Sequence, residues 1–199
     1  DRLRSRGLGD VYKRQGQGMI ASIEANNESA RQCRLHYDNT RKLLLRQYEW
    51  SFARKHEPLA LVNTEINGYK YIYLYPEKCL KMLAILDNHN AFDAFRQKEF
   101  EVFNMDNNTK VIASNVELAY IDYVYDITDC DIFDSLFLEA LARKLASNLA
   151  VPLLGNESTA DRNYKMYQAA LEEAKSLTAK ERKAQVEYPS LYASVRGGD

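Results

Sequence analysis

The stretch DCDIFDSLFLEALARKLASNLAVPLLG, residues 129–155, decides the fold class because its apolar residues recur at helical spacing. Steps of three and four residues place them on one wide face of an α-helix that packs against a core. Acidic residues crowd the start, where the helix dipole favours negative charge, and Pro152 and Gly155 predict the end. The apolar stripe consists of Phe133, Leu136, Phe137, Ala140, Leu141, Leu145 and Leu149.

Two further segments predict helices, one before and one after this stretch. In EANNESARQCRLHYDNTRKLLLRQYEW, residues 24–50, apolar and aromatic residues follow the same steps, and Asn26 or Asn27 can cap the first turn. The last helix starts at Ser158, which forms a variant of the capping box with Asp161. Its stripe consists of Ala160, Tyr164, Tyr167, Leu171, Ala174 and Leu177.

The part between the first two helices is typical of β-structure. Residues 59–62 form a short apolar run after Pro58, and tyrosines alternate through residues 69–75. Further strand candidates are residues 80–86, two strands within 100–114 that are joined by a turn at 106–108, and residues 115–126.

Together these patterns predict an α+β fold in a single domain, residues 16–199. We expect a helical bundle of about three long helices, in residues 27–50 and 130–180. A small antiparallel β extension is expected as an insertion at residues 57–126.

The first residues of the chain predict no part of this fold. SRGLGDVYKRQ, residues 5–15, is similar to the in-frame translation of the end of a transposase-based sequencing adaptor. We therefore expect residues 1–15 to pack against nothing, and native sequence to begin near Gly16. This interpretation replaces two others. The glycines here follow no strand and complete no G-x-G-x-x-G motif, and the cluster of arginines would otherwise suggest an arm that binds nucleic acid.

Composition gives no sign of a membrane segment or a disulfide framework. The formal net charge is −1, and several positive charges lie in residues 1–15, so bulk charge does not attract nucleic acid. The cysteines number three and lie far apart, which is typical of a reducing compartment. No apolar run reaches the roughly 20 residues that span a bilayer, so we expect no membrane association.

No group of residues predicts catalysis. A cluster of aspartates could bind a metal ion or form an acid–base pair, but turn and N-cap chemistry at a strand-to-helix junction explains it better. The histidines show no ligand spacing, and no cysteine has a histidine at the spacing of a thiol nucleophile. We therefore expect no enzymatic activity, no catalytic, metal-binding or cofactor-binding residues, and no cofactor. The residues considered are Asp122, Asp126, Asp129, Asp131, Asp134, His36, His56, His89, Cys33 and Cys79.

Aromatic residues are the remaining candidates for function. The tyrosine-rich strand at residues 69–75, together with arginines of the first helix, could bind single-stranded bases, so a nucleic-acid-binding module is one hypothesis. A strand face packed on a helix or on another subunit is the simpler interpretation. The side chains expected to pack the core or an interface are Tyr37, Trp50, Phe52, Tyr71, Tyr73, Phe133, Phe137, Tyr164 and Tyr167.

Three segments, taken in order, resemble one protein family. The first runs from Ser22 through the first helix to WSFA at residues 50–53, and the second is YPEKCLKML at residues 75–83. The third starts with residues 120–121 and 128–129 and runs through FDSLFLEALA at residues 133–142 to PLLG at residues 152–155, and residues 167–174 continue it. Their order and spacing are similar to the tail tubular protein A family of short-tailed bacteriophages, which are head-to-tail adaptor or gatekeeper proteins.

The resemblance implies a structural virion protein without enzymatic activity. Members form a ring, usually a dodecamer, that joins the portal protein to the tail nozzle protein, and double-stranded DNA passes through the channel without specific binding. The implied location is the virion tail, and the host cytoplasm during assembly. Members carry a helical bundle with a β-rich extension, which agrees with the predicted fold class. The chain departs from the family at its start, where the adaptor-like sequence stands in place of a helix and a glycine turn.

Overall fold

The computed structural model describes residues 22–87, 98–105 and 109–181. The expectation for residues 1–15, the turn at 106–108 and His89 all lie outside these residues. The predicted α+β class is confirmed, because long helices accompany small antiparallel sheets.

The elements follow the predicted order of helix, strands and two helices. None of the described helices combines the length and the apolar character that crossing a bilayer requires. The helices are α1 (Glu28–Gln47), α2 (Ser135–Leu154) and α3 (Glu157–Glu181). The strands are β1 (Arg54–Pro58), β2 (Tyr71–Leu74), β3 (Cys79–Leu86), β4 (Phe100–Asn104), β5 (Lys110–Ser114) and β6 (Tyr120–Tyr125). Short 3₁₀ turns occur at Ser51–Ala53 and Cys130–Ile132.

The strands form two sheets, which we call the inner and the outer sheet. The inner sheet has the order β1-β6-β3 and the outer sheet β2-β5-β4, with all pairs antiparallel. The central strand β6 is buried on both faces. Val124 packs into the helical core, while Ile121 and Tyr123 pack against Tyr73 and Ile112 of the outer sheet. The molecule therefore has three layers: helices, inner sheet and outer sheet.

Helix α2 packs against both α1 and α3, and aromatic rings fill the core beside it. Trp50 and Phe52 contact the ring of Phe137 edge-on, with centroids 5.2 and 5.1 Å away. Polar contacts fix the helices to each other, since the Asn148 amide donates to Thr40 Oγ1 and the Ser147 hydroxyl donates to the Ala160 carbonyl, both at 3.0 Å. The apolar faces seen in the sequence thus meet in one core.

The ends of the helices confirm some capping predictions and correct others. Asn27 caps α1, because its side chain accepts the N–H of Ala30 at 2.8 Å. Pro152 does not stop α2; it lies inside the last turn, and the helix ends where Gly155 adopts the left-handed conformation with φ 60°. At the start of α3 the side chain of Asn156, not Ser158, accepts the N–H of Thr159 at 3.0 Å. The helix therefore begins one residue before the predicted box.

The apolar run at residues 59–62 is not a strand, and this prediction was wrong. The first strand is the charged segment RKHEP, which ends at Pro58 on the edge of the inner sheet. Proline is tolerated at such an edge because no neighbour needs its N–H. Residues 59–62 instead cross to β2, where Leu61 forms an isolated bridge with Tyr73.

The packing predicts a large loss of stability for Phe137→Ala. The side chain is fully buried among aromatic rings, so its truncation leaves a cavity and should lower the free energy of unfolding by about 3–5 kcal/mol. Leu61→Ala is the control, because Leu61 is 65% exposed outside the helical core and its truncation should change stability by less than about 0.5 kcal/mol. Urea unfolding followed by circular dichroism measures both. Equal effects would mean that the helices do not share this core.

Candidate functional site

Eight of the nine aromatic residues singled out from the sequence are buried or half-buried within the chain. Trp50, Phe52, Phe133 and Phe137 belong to one aromatic cluster in the helical core, and Tyr73 lies between the sheets with the half-buried Tyr71 beside it. The ninth, Tyr164, is exposed and has the Lys144 ammonium 4.5 Å from its ring centroid. Most of these rings therefore hold the fold together and leave little aromatic surface for a partner.

Two of these tyrosines form hydrogen bonds to other elements of the fold through their hydroxyl groups. Tyr167 donates to Gln47 Oε1 at 2.6 Å, which joins α3 to the end of α1. The hydroxyl of Tyr37 and the thiol of Cys130 form a hydrogen bond of 3.3 Å. Burial, with a smaller contribution from Cys130, raises the pKa of Tyr37 to about 12. Both tyrosines are therefore neutral structural contacts.

The most deeply buried charge is the guanidinium of Arg41, which is 1% exposed. Its Nη1 atom donates to Asp126 Oδ1 at 2.5 Å and to the carbonyl of Ile127. Its Nη2 atom donates to Asp38 Oδ1 at 3.1 Å. Burial alone would lower the pKa of Arg41, but the hydrogen bonds to the two carboxylates raise it above its ordinary value. Arg41 is therefore charged, and it links α1 to the chain that leaves β6.

The five aspartates considered for a metal site have separate roles. Asp126 binds Arg41, and Asp122 on the inner sheet binds Arg54 and, at 2.6 Å, His56 Nδ1. Asp129 caps the 3₁₀ turn Cys130–Ile132 and Asp134 caps α2, since they accept the N–H groups of Asp131 and Leu136 at 3.0 and 2.8 Å. Among the described residues, no group of histidine, cysteine and acidic side chains could hold a metal ion. The predicted turn and capping chemistry is confirmed for two of the five.

Two of the three cysteines are partly buried, which affects the reactivity of their thiols. The three thiols are free. Burial raises the pKa of both Cys33 and Cys79, which keeps these thiols protonated near neutral pH.

The residues named for base stacking are engaged within the chain. Tyr73 is 1% exposed and donates its hydroxyl to the carbonyl of Val116 at 2.6 Å, so a base cannot reach its ring. On α1, Arg31 binds Glu28, and Arg34 donates to the carbonyl of Ile23. With Arg41 buried as well, these three arginines are not available to a base; Arg46 is the first-helix arginine that lies near the tyrosine strand, beside Tyr75.

The lysines that surround Arg46 and Tyr75 were not found from the sequence, and together these residues form a basic surface. We call it the basic patch; it consists of Arg46, Lys55, Lys78 and Lys110 around Tyr75 and Tyr125. These residues come from five separate segments, so no local motif could reveal them. They lie at the junction where the end of α1 meets both sheets.

The helices also expose large apolar side chains. Leu35 and Leu43 are exposed on α1, two turns apart on its outer side. Met166 and Leu177 are exposed on α3, three turns apart. Both helices pack against α2, and each carries one of the two pairs, so we describe the pairs as two apolar flanks. We call them the α1 flank and the α3 flank.

Comparison of the chain with protein-family models and with curated protein sequences finds no match.

The geometry of Arg41 predicts unequal roles for its two carboxylate partners. Asp126→Asn removes the charge that neutralises the buried guanidinium, and its side chain is 14% exposed, so stability should fall by about 3 kcal/mol. Asp38→Asn is the matched control with the same cation and the same chemical change. Its carboxylate is 62% exposed, and a solvated ion pair contributes less than about 1 kcal/mol. Guanidinium chloride unfolding measures both variants; a larger loss for Asp38→Asn would contradict the assignment of Asp126 as the main partner.

Proposed function

We propose that this chain is a structural subunit of a head-to-tail connector ring in a short-tailed bacteriophage. In this role it joins the portal protein to the tail nozzle protein, surrounds the channel through which double-stranded DNA passes, and performs no catalysis. The order of the sequence motifs suggests the family. The helical bundle with a β extension is the fold that the resemblance implies.

The observation that carries the proposal is the pair of apolar flanks on α1 and α3. A ring subunit contacts two neighbours through two different surfaces, because a heterologous interface joins one side of each subunit to the other side of the next. Leu35 and Leu43 lie on α1, and Met166 and Leu177 lie on α3, so two different helices each carry a pair of exposed apolar side chains. Neighbouring subunits of the proposed ring would cover these side chains, as partners cover exposed apolar patches at sites of protein association.

We expect charged substitutions on either flank to break the ring without unfolding the subunit. Leu35→Glu with Leu43→Glu disables the α1 flank, and Met166→Glu with Leu177→Glu disables the α3 flank. Each double variant should be monomeric by mass photometry and should keep the helical circular dichroism of the unmodified protein. Leu61→Glu is the control, because Leu61 is 65% exposed on the β side and its substitution should leave the ring intact.

A mixture of the two double variants tests the head-to-tail arrangement. The variant with the disabled α1 flank retains its α3 flank, and the other variant retains its α1 flank. In a heterologous ring these two intact flanks bind each other, so an equimolar mixture should form a dimer and no larger oligomer. Isologous pairing of identical flanks would instead give dimers of each variant alone. An unmodified protein that stays monomeric, and that shows no affinity for portal rings by electron microscopy, would overturn the proposal.

A further inference from the structure

The basic patch places positive charge around two tyrosine rings at the end of the sheets. The ammonium of Lys55 lies 3.6 Å from the ring centroid of Tyr125, and that of Lys78 lies 5.9 Å from the same centroid. The ammonium of Lys110 lies 3.9 Å from the ring centroid of Tyr75. Cation–π contacts of this kind hold lysine side chains in place. The patch is therefore an ordered arrangement of cations.

The two halves of the patch are joined through Cys79. Cys79 pairs with Tyr125 across the inner sheet, and its thiol donates to the hydroxyl of Tyr75 at 3.2 Å. Burial raises the pKa of Tyr75, while the nearby charge of Arg46 partly offsets that rise. The positive charge of Arg46, at the end of α1, therefore belongs to the same surface.

These cations lack neutralising partners. Among the described residues, none of the four forms an ion pair with an acidic side chain, and all four are exposed. Of the nearby carboxylates, Asp126 is paired with Arg41 and Lys42, whereas Glu57 accepts from the neutral Tyr123 hydroxyl at 2.8 Å, a hydrogen bond that leaves its charge unbalanced. Glu77, next to Lys78 in sequence, is a second acid at this surface. The four cations outnumber these two carboxylates, so the patch carries a net positive charge on a chain whose overall charge is −1.

We propose that the basic patch binds the phosphate backbone of nucleic acid without reading its sequence. Lysine ammonium groups act as point charges that suit phosphate oxygens. The rings of Tyr75 and Tyr125 already have ammonium groups over them, so base stacking does not compete with phosphate binding. Packed sheets lie about 10 Å apart, so Lys55 on the inner sheet and Lys110 on the outer sheet can contact phosphates a few nucleotides apart. This inference does not depend on ring formation, because the patch belongs to a single subunit.

The test compares variants of the full chain on a fluorescein-labelled 30-base-pair duplex by anisotropy, from about 50 to 200 mM salt. The protein should bind with a dissociation constant of about 10⁻⁴ to 10⁻⁶ M, as expected for backbone contacts. Lys55→Gln with Lys110→Gln removes two contacts, so the slope of log K against log salt should become shallower by about 1.8. Affinity at 100 mM salt should fall by about tenfold or more.

Lys70→Gln with Lys165→Gln is the matched control, because it removes the same charge from exposed lysines away from the patch. The unmodified protein and both variants share the arginines and lysine of residues 1–15, so any contribution of that segment cancels in the comparison. The control should bind the duplex with the slope of the unmodified protein. Thermal unfolding verifies that the variants are folded.

Three outcomes would overturn the proposal. The first is equal salt slopes for the patch variant and the control variant. The second is no binding of the unmodified protein at millimolar concentration. The third is tight binding of a labelled polyglutamate peptide without binding of the duplex, which would assign the patch to an acidic protein. An isolated monomer that binds DNA through these lysines would support the inference even if the connector proposal failed.

Discussion

The buried guanidinium of Arg41 is the contact on which the joining of helices and sheets depends. It extends from α1 to Asp126 and to the carbonyl of Ile127, where the chain leaves the central strand β6. Removing a charge from water costs several kcal/mol unless partners surround it, and Nε of Arg41 has no hydrogen-bond partner among the described residues. The Arg41 contacts therefore add little to the free energy of unfolding, but they fix the position of α1 relative to the end of β6. Apolar contacts in the helical core are non-directional and permit several packing arrangements. A buried cation is stable only where a carboxylate lies within hydrogen-bond distance.

The second constraint is that β6 is buried on both faces. Val124 contacts the helices, while Ile121 and Tyr123 contact the outer sheet. Each side chain of a strand in this position must be apolar or must have a polar partner within the protein. This explains why Asp122, on the helix-facing side, is bound by Arg54 and His56. The same requirement removes Tyr73 from the surface, because that ring fills the space between the sheets and bonds through its hydroxyl to Val116. Tyr73 of the tyrosine-rich strand is therefore a core residue, whereas Tyr75 is half-buried at the basic patch.

The sequence predicts the features that depend on local periodicity. It does not predict the features that depend on contacts between distant segments of the chain. The three helices, the cap at Asn27 and the end at Gly155 follow from residues within a few positions of each other. The strand at residues 59–62 does not form, because β6 pairs with the charged segment that ends at Pro58, and strand choice depends on the partner. Pro152 lies in the last turn of α2, where its missing N–H costs the helix one hydrogen bond, to the carbonyl four residues earlier, and the helix continues for only two residues beyond it. Neither the Arg41 contacts nor the basic patch could be predicted, since each joins segments tens of residues apart.

The distribution of side chains also separates two kinds of surface in the protein. Aromatic residues, which usually dominate interfaces, are used to join the helices and the sheets. The flanks of the helical layer are left with aliphatic side chains, whereas the junction of the sheets carries unpaired lysines. Apolar flanks associate by losing water, and lysines near tyrosine rings attract anions while they stay solvated. Because these surfaces lie on different layers and need different environments, neighbours could cover the flanks while the basic patch remained open to a polyanion.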